Sequence, residues 1–259
     1  MDYETIEFGL ADDGVATLRL NRPEVLNGLN ARMRAEITDA LQNLDSAARV
    51  LVITGNGRGF CSGQDLGGAA DVARVDLEGT LRDEYEPMLR AIIDCPLPTI
   101  AAVNGPAAGA GANLALAADV VIAAESAYFM QAFSLIGLIP DAGGTYALPR
   151  MMGLAKAMGA ALFADRISAR QASDWGLIWE AVPDAEFDAV VEARAAHLAQ
   201  GPTEAYRLIK QALRASLGND LDAQLALEAR LQGKAGKTRD FAEGVLAFNE
   251  KRKPRFEGR

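Results

Sequence analysis

Three times in the first 145 residues a strand-like run gives way to a glycine-rich loop: residues 57–66, 104–111 and 140–144. The runs at 50–54 and 99–103 are short, apolar and bounded by turn residues, which reads as buried strand. Glycine lets backbone N–H groups face a ligand with no side chain between them. The second loop runs straight into a helical segment, so its N–H groups also carry the partial positive charge of a helix start. Two such N–H groups from different loops can together hold a developing oxyanion. Ordinary turn chemistry explains the same glycines, and composition alone does not choose. None of the loops is a phosphate cradle, because no GxxxxGKS/T is present and residues 105–111 do not match GxGxxG.

Around these loops the pattern is α/β early and helical late. Residues 6–20 read as a hairpin turning at Asp12-Asp13-Gly14. Asn30 is placed to cap a helix running through Ala48, with Met33, Ile37, Leu41 and Leu44 on one face. A charged segment at 71–94 reads as helical, and another helix is expected from about Ala108 to Ala118. Short strands are expected at 120–123 and 128–130. Beyond Asp141, helices are expected at 143–162, 168–175, 184–200, 203–217, 221–232 and 239–251, with one strand at 179–182. This predicts an α/β core with a helical C-terminal region. The division expected is a core over residues 1–200 and a helical part over 201–259.

Length and charge narrow the function. A chain of 259 residues, half of them hydrophobic, is long enough for a large single core. Its net charge of −9, with no basic cluster before the last few residues, argues against nucleic acid as a partner. Cys61 and Cys95 have neither metal-site nor disulfide spacing, so no metal is expected. The N-terminus has no signal-peptide pattern, and the apolar stretch at 107–124 is interrupted by Asn113 and Asp119. A cytoplasmic protein with no membrane partner is the expectation.

Gly59-Phe60-Cys61-Ser62-Gly63-Gln64-Asp65-Leu66, Ala101-Ala102-Val103-Asn104-Gly105, Gly109-Ala110-Gly111 and Ile139-Pro140-Asp141-Ala142-Gly143-Gly144-Thr145 resemble the crotonase (enoyl-CoA hydratase/isomerase) superfamily. Asn21-Arg22-Pro23 and the stretch from Glu243 to Lys253 fit the same family, in the same order along nearly the whole chain. Ala132-Phe133-Ser134 followed by Gly137-Leu138-Ile139-Pro140-Asp141 is most similar to its ring-epoxide isomerases of phenylacetate breakdown. The resemblance implies a ββα-spiral core, homotrimers or hexamers with residues 201–259 as the trimerisation region, and an acyl-CoA thioester as substrate with no separate cofactor. It places the thioester oxygen between the N–H groups of Gln64 and Ala110. It also places Val25, Leu26, Ser62, Asp65 and Leu66 along the coenzyme A path, with Phe248 and Lys251 at its anionic, aromatic end. A solvated basic tail is the competing reading of Lys251.

The family's hydratases hold water between two glutamates, and those positions here are Asn113 and Phe133. Neither is a base. Asp141 matches the single acid of some isomerases, which suits taking a proton beside a thioester and returning it to another carbon. An apolar wall of Phe133 and Ile136 is expected to raise its pKa. Read without the family, Asp141 is equally an N-cap for the helix that follows. His197 reads as structural or surface, Asp65 as a loop brace, and Glu125 as a solvated strand end. Three functions follow: an acyl-CoA isomerase, a hydratase working with one acid, or a crotonase-fold protein that binds acyl-CoA without turning it over.

Overall fold

The computed structural model describes residues 2–67 and 76–258. The hairpin is formed by β1 (Ile6–Leu10) and β2 (Val15–Leu20), followed by α1 (Ala31–Gln42) and β3 (Val50–Gly55). Next come α2 (Leu77–Thr80), a π-helical turn at Leu81–Tyr85, α3 (Glu86–Ile93), β4 (Thr99–Val103), β5 (Ala107–Ala108) and α4 (Ala110–Leu116). Then follow β6 (Val120–Ala124), β7 (Tyr128–Met130), α5 (Gly144–Met152), α6 (Leu154–Phe163), β8 (Ile167–Ser168), α7 (Ala169–Asp174) and β9 (Glu180–Val182). The chain closes with α8 (Phe187–Ala199), α9 (Thr203–Ala215), α10 (Leu221–Ala235) and α11 (Arg239–Asn249). No helix among the described residues is long and apolar enough to cross a membrane.

Six strands form one sheet in the order β1-β2-β3-β4-β6-β9, parallel from β2 onward. A parallel sheet needs both faces covered, so its strands carry apolar residues on both sides. Leu51, Ile53, Ala101, Val103, Val121 and Ala123 face the core that contains α1, α3 and α4. Val50, Val52, Ile100, Ala102 and Ile122 face Phe187, Ala195 and Ala199 of α8.

The second sheet makes the spiral. β5 pairs in parallel with β7 (Ala107 with Phe129), and Cys61 forms an isolated parallel bridge with Ala107. Cys61, Ala107 and Phe129 are therefore equivalent points on successive turns, each following a strand of the large sheet. This is the crotonase-like ββα spiral.

Several helix boundaries differ from expectation. α1 stops at Gln42 although Asn30 caps it at Met33 N (2.8 Å). Asn43 bonds back to Asp39, and Asp45 accepts from Ala47 N at 2.8 Å, so short polar side chains compete with the helix before Ala48. The single helix expected over 143–162 is two, because Gly153 adopts φ +78° between α5 and α6. The helix expected from Ala108 begins at Ala110, since Ala107–Ala108 pairs as β5. The expected helix at 71–94 is observed from Leu77, and residues 71–75 lie outside the described residues. Glu125 is paired with Arg170, whereas it was expected to be solvated. α9 is tied back to the core, as Lys210 donates to Cys95 O and Leu97 O and pairs with Asp119.

Asn27 fixes the first glycine-rich loop. It is fully buried, and its Nδ2 donates to the carbonyls of Asn56 (3.0 Å), Gly59 (2.9 Å) and Phe60 (3.1 Å). Removing the amide strands buried acceptors, so Asn27→Ala is expected to lower unfolding free energy by roughly 2–4 kcal/mol in urea titration. A loss below about 0.5 kcal/mol, the scale of an ordinary surface change, would contradict this role.

Candidate active site

The spiral brings the glycine-rich loops together. Leu29 N donates to Gly63 O (2.8 Å) and Asp65 N donates to Leu29 O (3.1 Å), so the N–H of the intervening Gln64 points away from Leu29. Ala110 opens α4, where the first N–H groups have no partner inside the helix. Among the described residues neither N–H has a protein acceptor. A Cβ on Gly63 would stand 2.8 Å from Ala108 O and 3.3 Å from Ala110 N. Only glycine permits that approach, which brings the loop carrying Gln64 against the start of α4. Two such N–H groups can bind one carbonyl oxygen and stabilise the charge it gains.

Asp141 is tied to α4 through Asn113, one turn beyond Ala110. The carbonyl of Asp141 accepts from Asn113 Nδ2 (2.7 Å) and from Gly144 N (2.8 Å). Asn113 is itself held by Gln131 Nε2 (2.9 Å), and both side chains are buried. The loop beyond turns through Ala142 at φ +48° and Gly143 at φ +82° before α5 begins. The helix-cap reading of Asp141 fails, because α5 has Gly143 at its N-cap and no side-chain cap bond.

The carboxyl of Asp141 is left without a donor where it is most enclosed: Oδ1 is buried and has no hydrogen-bond partner among the described residues. Burial pushes its pKa up to about 6, with its own backbone N–H opposing weakly. Phe133, one of the two expected wall residues, is buried, and its ring lies 3.8 Å from where a Cβ on Gly109 would be, at the start of α4. Ile136, the other expected wall residue, is exposed.

Beside Gln64 runs a ridge of the residues expected along a coenzyme A path. Ser62 Oγ donates to Val25 O (3.0 Å), and Leu26 ends the turn at Pro23–Val25 with φ 52°. Val25 and Leu66 are exposed. Asp65 braces the ridge: it pairs with Arg22 (2.8 Å) and accepts from Gly67 N, and the Arg22 guanidinium holds its carboxyl below the usual range. Phe248, on α11, is 83% exposed, and Lys251 follows that helix at φ 53°. α11 makes no substantial packing contact with α4, which Ala110 opens. His197 is exposed on α8. A 550 Å³ cavity lies elsewhere, lined by Arg49, Thr203, Glu204, Arg207 and Gly258 among others, and none of the candidate catalytic residues reaches it.

Sequence reasoning passed over Asn27, Arg34, Tyr85 and Gln131. Arg34 had a signal: it falls on the apolar stripe of α1, where a charge needs a buried partner. Tyr85 and Gln131 had none, because their roles depend on contacts distant in sequence.

With this geometry in place, comparison with known proteins is decisive for the family. Residues 11–259 match the enoyl-CoA hydratase/isomerase family model. This chain belongs to the enoyl-CoA hydratase/isomerase family. It is 62% identical, over 100% of both chains, to a Rhodobacter capsulatus protein named "probable enoyl-CoA hydratase". It is 48% identical to the 1,2-epoxyphenylacetyl-CoA isomerase of Escherichia coli, over 96% of this chain and 97% of that one. A solved enoyl-CoA hydratase from Bacillus anthracis superposes with a TM-score of 0.90 at 33% identity, covering 99% of this chain and 100% of the other.

Asp141 also leaves a mark on stability. Its folded pKa of about 6 lies above the ordinary 3.8, so between those values the folded state binds more protons than the unfolded one. Raising pH through that window therefore destabilises the fold. Asp141→Asn is expected to melt at a higher temperature than the parent at pH 7.5, the gain shrinking as pH falls through 6 toward 4. Equal melting temperatures at every pH would show the carboxyl is not desolvated.

Proposed function

We infer that this chain is an acyl-CoA isomerase that works through a thioester enolate. The N–H groups of Gln64 and Ala110 hold the thioester oxygen, and Asp141 carries the proton. The observation behind this reading is the half-buried Asp141 carboxyl, short of donors and with its pKa pushed up to about 6, in a chain whose positions 113 and 133 hold an amide and a phenyl ring. At neutral pH the Asp141 carboxylate takes a proton from C2 of a 3-enoyl-CoA, and the electron pair moves onto the thioester oxygen. When the pair returns, the C3=C4 electrons take the same proton at C4, leaving the double bond between C2 and C3. The balance closes with one acid and no redox cofactor.

A ring epoxide fits the same step. Opening the carbon–carbon bond of a 1,2-epoxyphenylacetyl-CoA gives an oxepin whose ring double bond lies β,γ to the thioester, and the proton transfer brings it into conjugation. The likeness to the Escherichia coli isomerase supports this substrate class. Val25, Leu26, Ser62 and Leu66 would line the coenzyme A path, with Asp65 bracing it and Phe248 and Lys251 reaching it from a neighbouring subunit. Exposed apolar residues on α9 and α10, such as Ile209, Leu213, Leu221 and Leu225, favour a homotrimer or hexamer built through residues 201–259.

Hydration with Asp141 as lone base is the second reading, favoured by the name of the Rhodobacter capsulatus relative. Turnover in deuterated water separates the two. 3-Hexenoyl-CoA is expected to become 2-hexenoyl-CoA with no 3-hydroxy product, and kcat/KM to fall as pH drops through about 6. Asp141→Asn should lower kcat by about 10²–10⁴ with the fold retained. Net formation of 3-hydroxyhexanoyl-CoA from 2-hexenoyl-CoA would overturn isomerisation as the main activity. Failure to turn over any acyl-CoA would instead favour a binding or scaffold role.

A further inference from the structure

Gln64 is expected to act through its backbone, yet its side chain is the most heavily held group in the loop. Oε1 accepts from the Tyr85 hydroxyl (2.5 Å) and from Arg34 Nη1 (2.9 Å), while Nε2 donates to Asp65 O (3.1 Å). Arg34 is almost fully buried and gives Glu84 Oε2 both its Nε (3.1 Å) and its Nη2 (2.6 Å). It also donates to Leu29 O (2.9 Å), the carbonyl that receives Asp65 N. The guanidinium lies 4.6 Å from the centre of the Tyr85 ring. Glu84 and Tyr85 are consecutive, and on a regular helix neighbours point about 100° apart. They fall in the π-helical turn at Leu81–Tyr85, a local widening of the kind that gathers at functional sites.

The geometry points to Arg34 and Tyr85 as positioning residues that set the Gln64 N–H for the thioester oxygen. The proposal rests on the enolate reading above and deepens it. An oxyanion hole works only if its donors are already aimed, because a donor that must reorganise loses most of its advantage. The Gln64 side chain is the handle, since two donors converge on its one oxygen. Tyr85 suits the task because it is buried and burial keeps its hydroxyl protonated, so it donates at any working pH. Arg34 suits it because a planar guanidinium serves Glu84, Leu29 O and Gln64 together. A purely structural reading of the cluster predicts lost stability without a specific loss in the chemical step.

Tyr85→Phe keeps the ring beneath Arg34 and removes only the hydroxyl. Wild-type protein is expected to lower the infrared carbonyl frequency of bound hexanoyl-CoA carrying a 13C thioester carbon. The variant should give up a large part of that shift. With 3-hexenoyl-CoA its kcat should fall roughly tenfold, a fraction of the 10²–10³ lost with a whole oxyanion donor, while KM changes less than about twofold. Gln64→Leu, which keeps the N–H and loses Oε1, should show the same losses, and the double variant should be no worse than either single one. Wild-type kcat and carbonyl frequency in folded Tyr85→Phe would overturn the proposal, as would full additivity of the two changes. If wild-type protein itself neither shifts the carbonyl nor turns over 3-hexenoyl-CoA, the enolate reading fails first, which is a separate result.

Discussion

The close approach of one spiral turn to the next is the constraint on which the site depends. Cys61 bridges Ala107, and Ala107 pairs with Phe129, so three chain segments stack at one register. The stacking works only where side chains are absent. A Cβ on Gly111 would lie 2.4 Å from Cys61 O, and one on Gly63 would lie 2.8 Å from Ala108 O. Three residues beyond Cys61 stands Gln64, and three beyond Ala107 stands Ala110. The two N–H groups thus share one origin: the same step taken on successive turns of the spiral.

The acid comes from a third segment and is held in a different way. Asn113, one turn along α4 from Ala110, grips the Asp141 carbonyl, and Gln131 grips Asn113. The Ala110 N–H and Asp141 are therefore referenced to a single short helix, and loosening α4 would misplace both. The carboxyl itself is left short of donors. A buried carboxylate oxygen without a donor is unfavourable, and Asp141 Oδ1 is one. An acid starved in this way is a stronger base, which joins the destabilisation to the proposed chemistry.

The sequence made the fold class legible because glycine loops after buried runs are local signals and the family motifs run along almost the whole chain. It also carried the grounds for the proposed reaction, since Asn113 and Phe133 are visible as letters. Helix ends were less legible: α1 stops where Asn43 and Asp45 capture nearby backbone groups, and the break at Gly153 depends on a left-handed backbone that a glycine permits but does not demand. The helix-cap reading of Asp141 was settled only by the turn through Ala142 and Gly143. The Arg34–Tyr85–Gln64 cluster and the Asn27 clamp were hidden, because each joins residues about 20 to 50 positions apart through side-chain tips.

The proposed isomerisation rests on a single carboxyl, Asp141, as carrier of a proton from one carbon to another. The most direct test is a single turnover of 3-hexenoyl-CoA deuterated at C2, run in ordinary water with enzyme in excess. Transfer by Asp141 predicts that part of the deuterium reappears at C4 of the 2-enoyl product, and that Asp141→Asn abolishes product and transfer together. A product carrying no deuterium at C4 even in the fastest fraction, formed at an undiminished rate by Asp141→Asn, would contradict it.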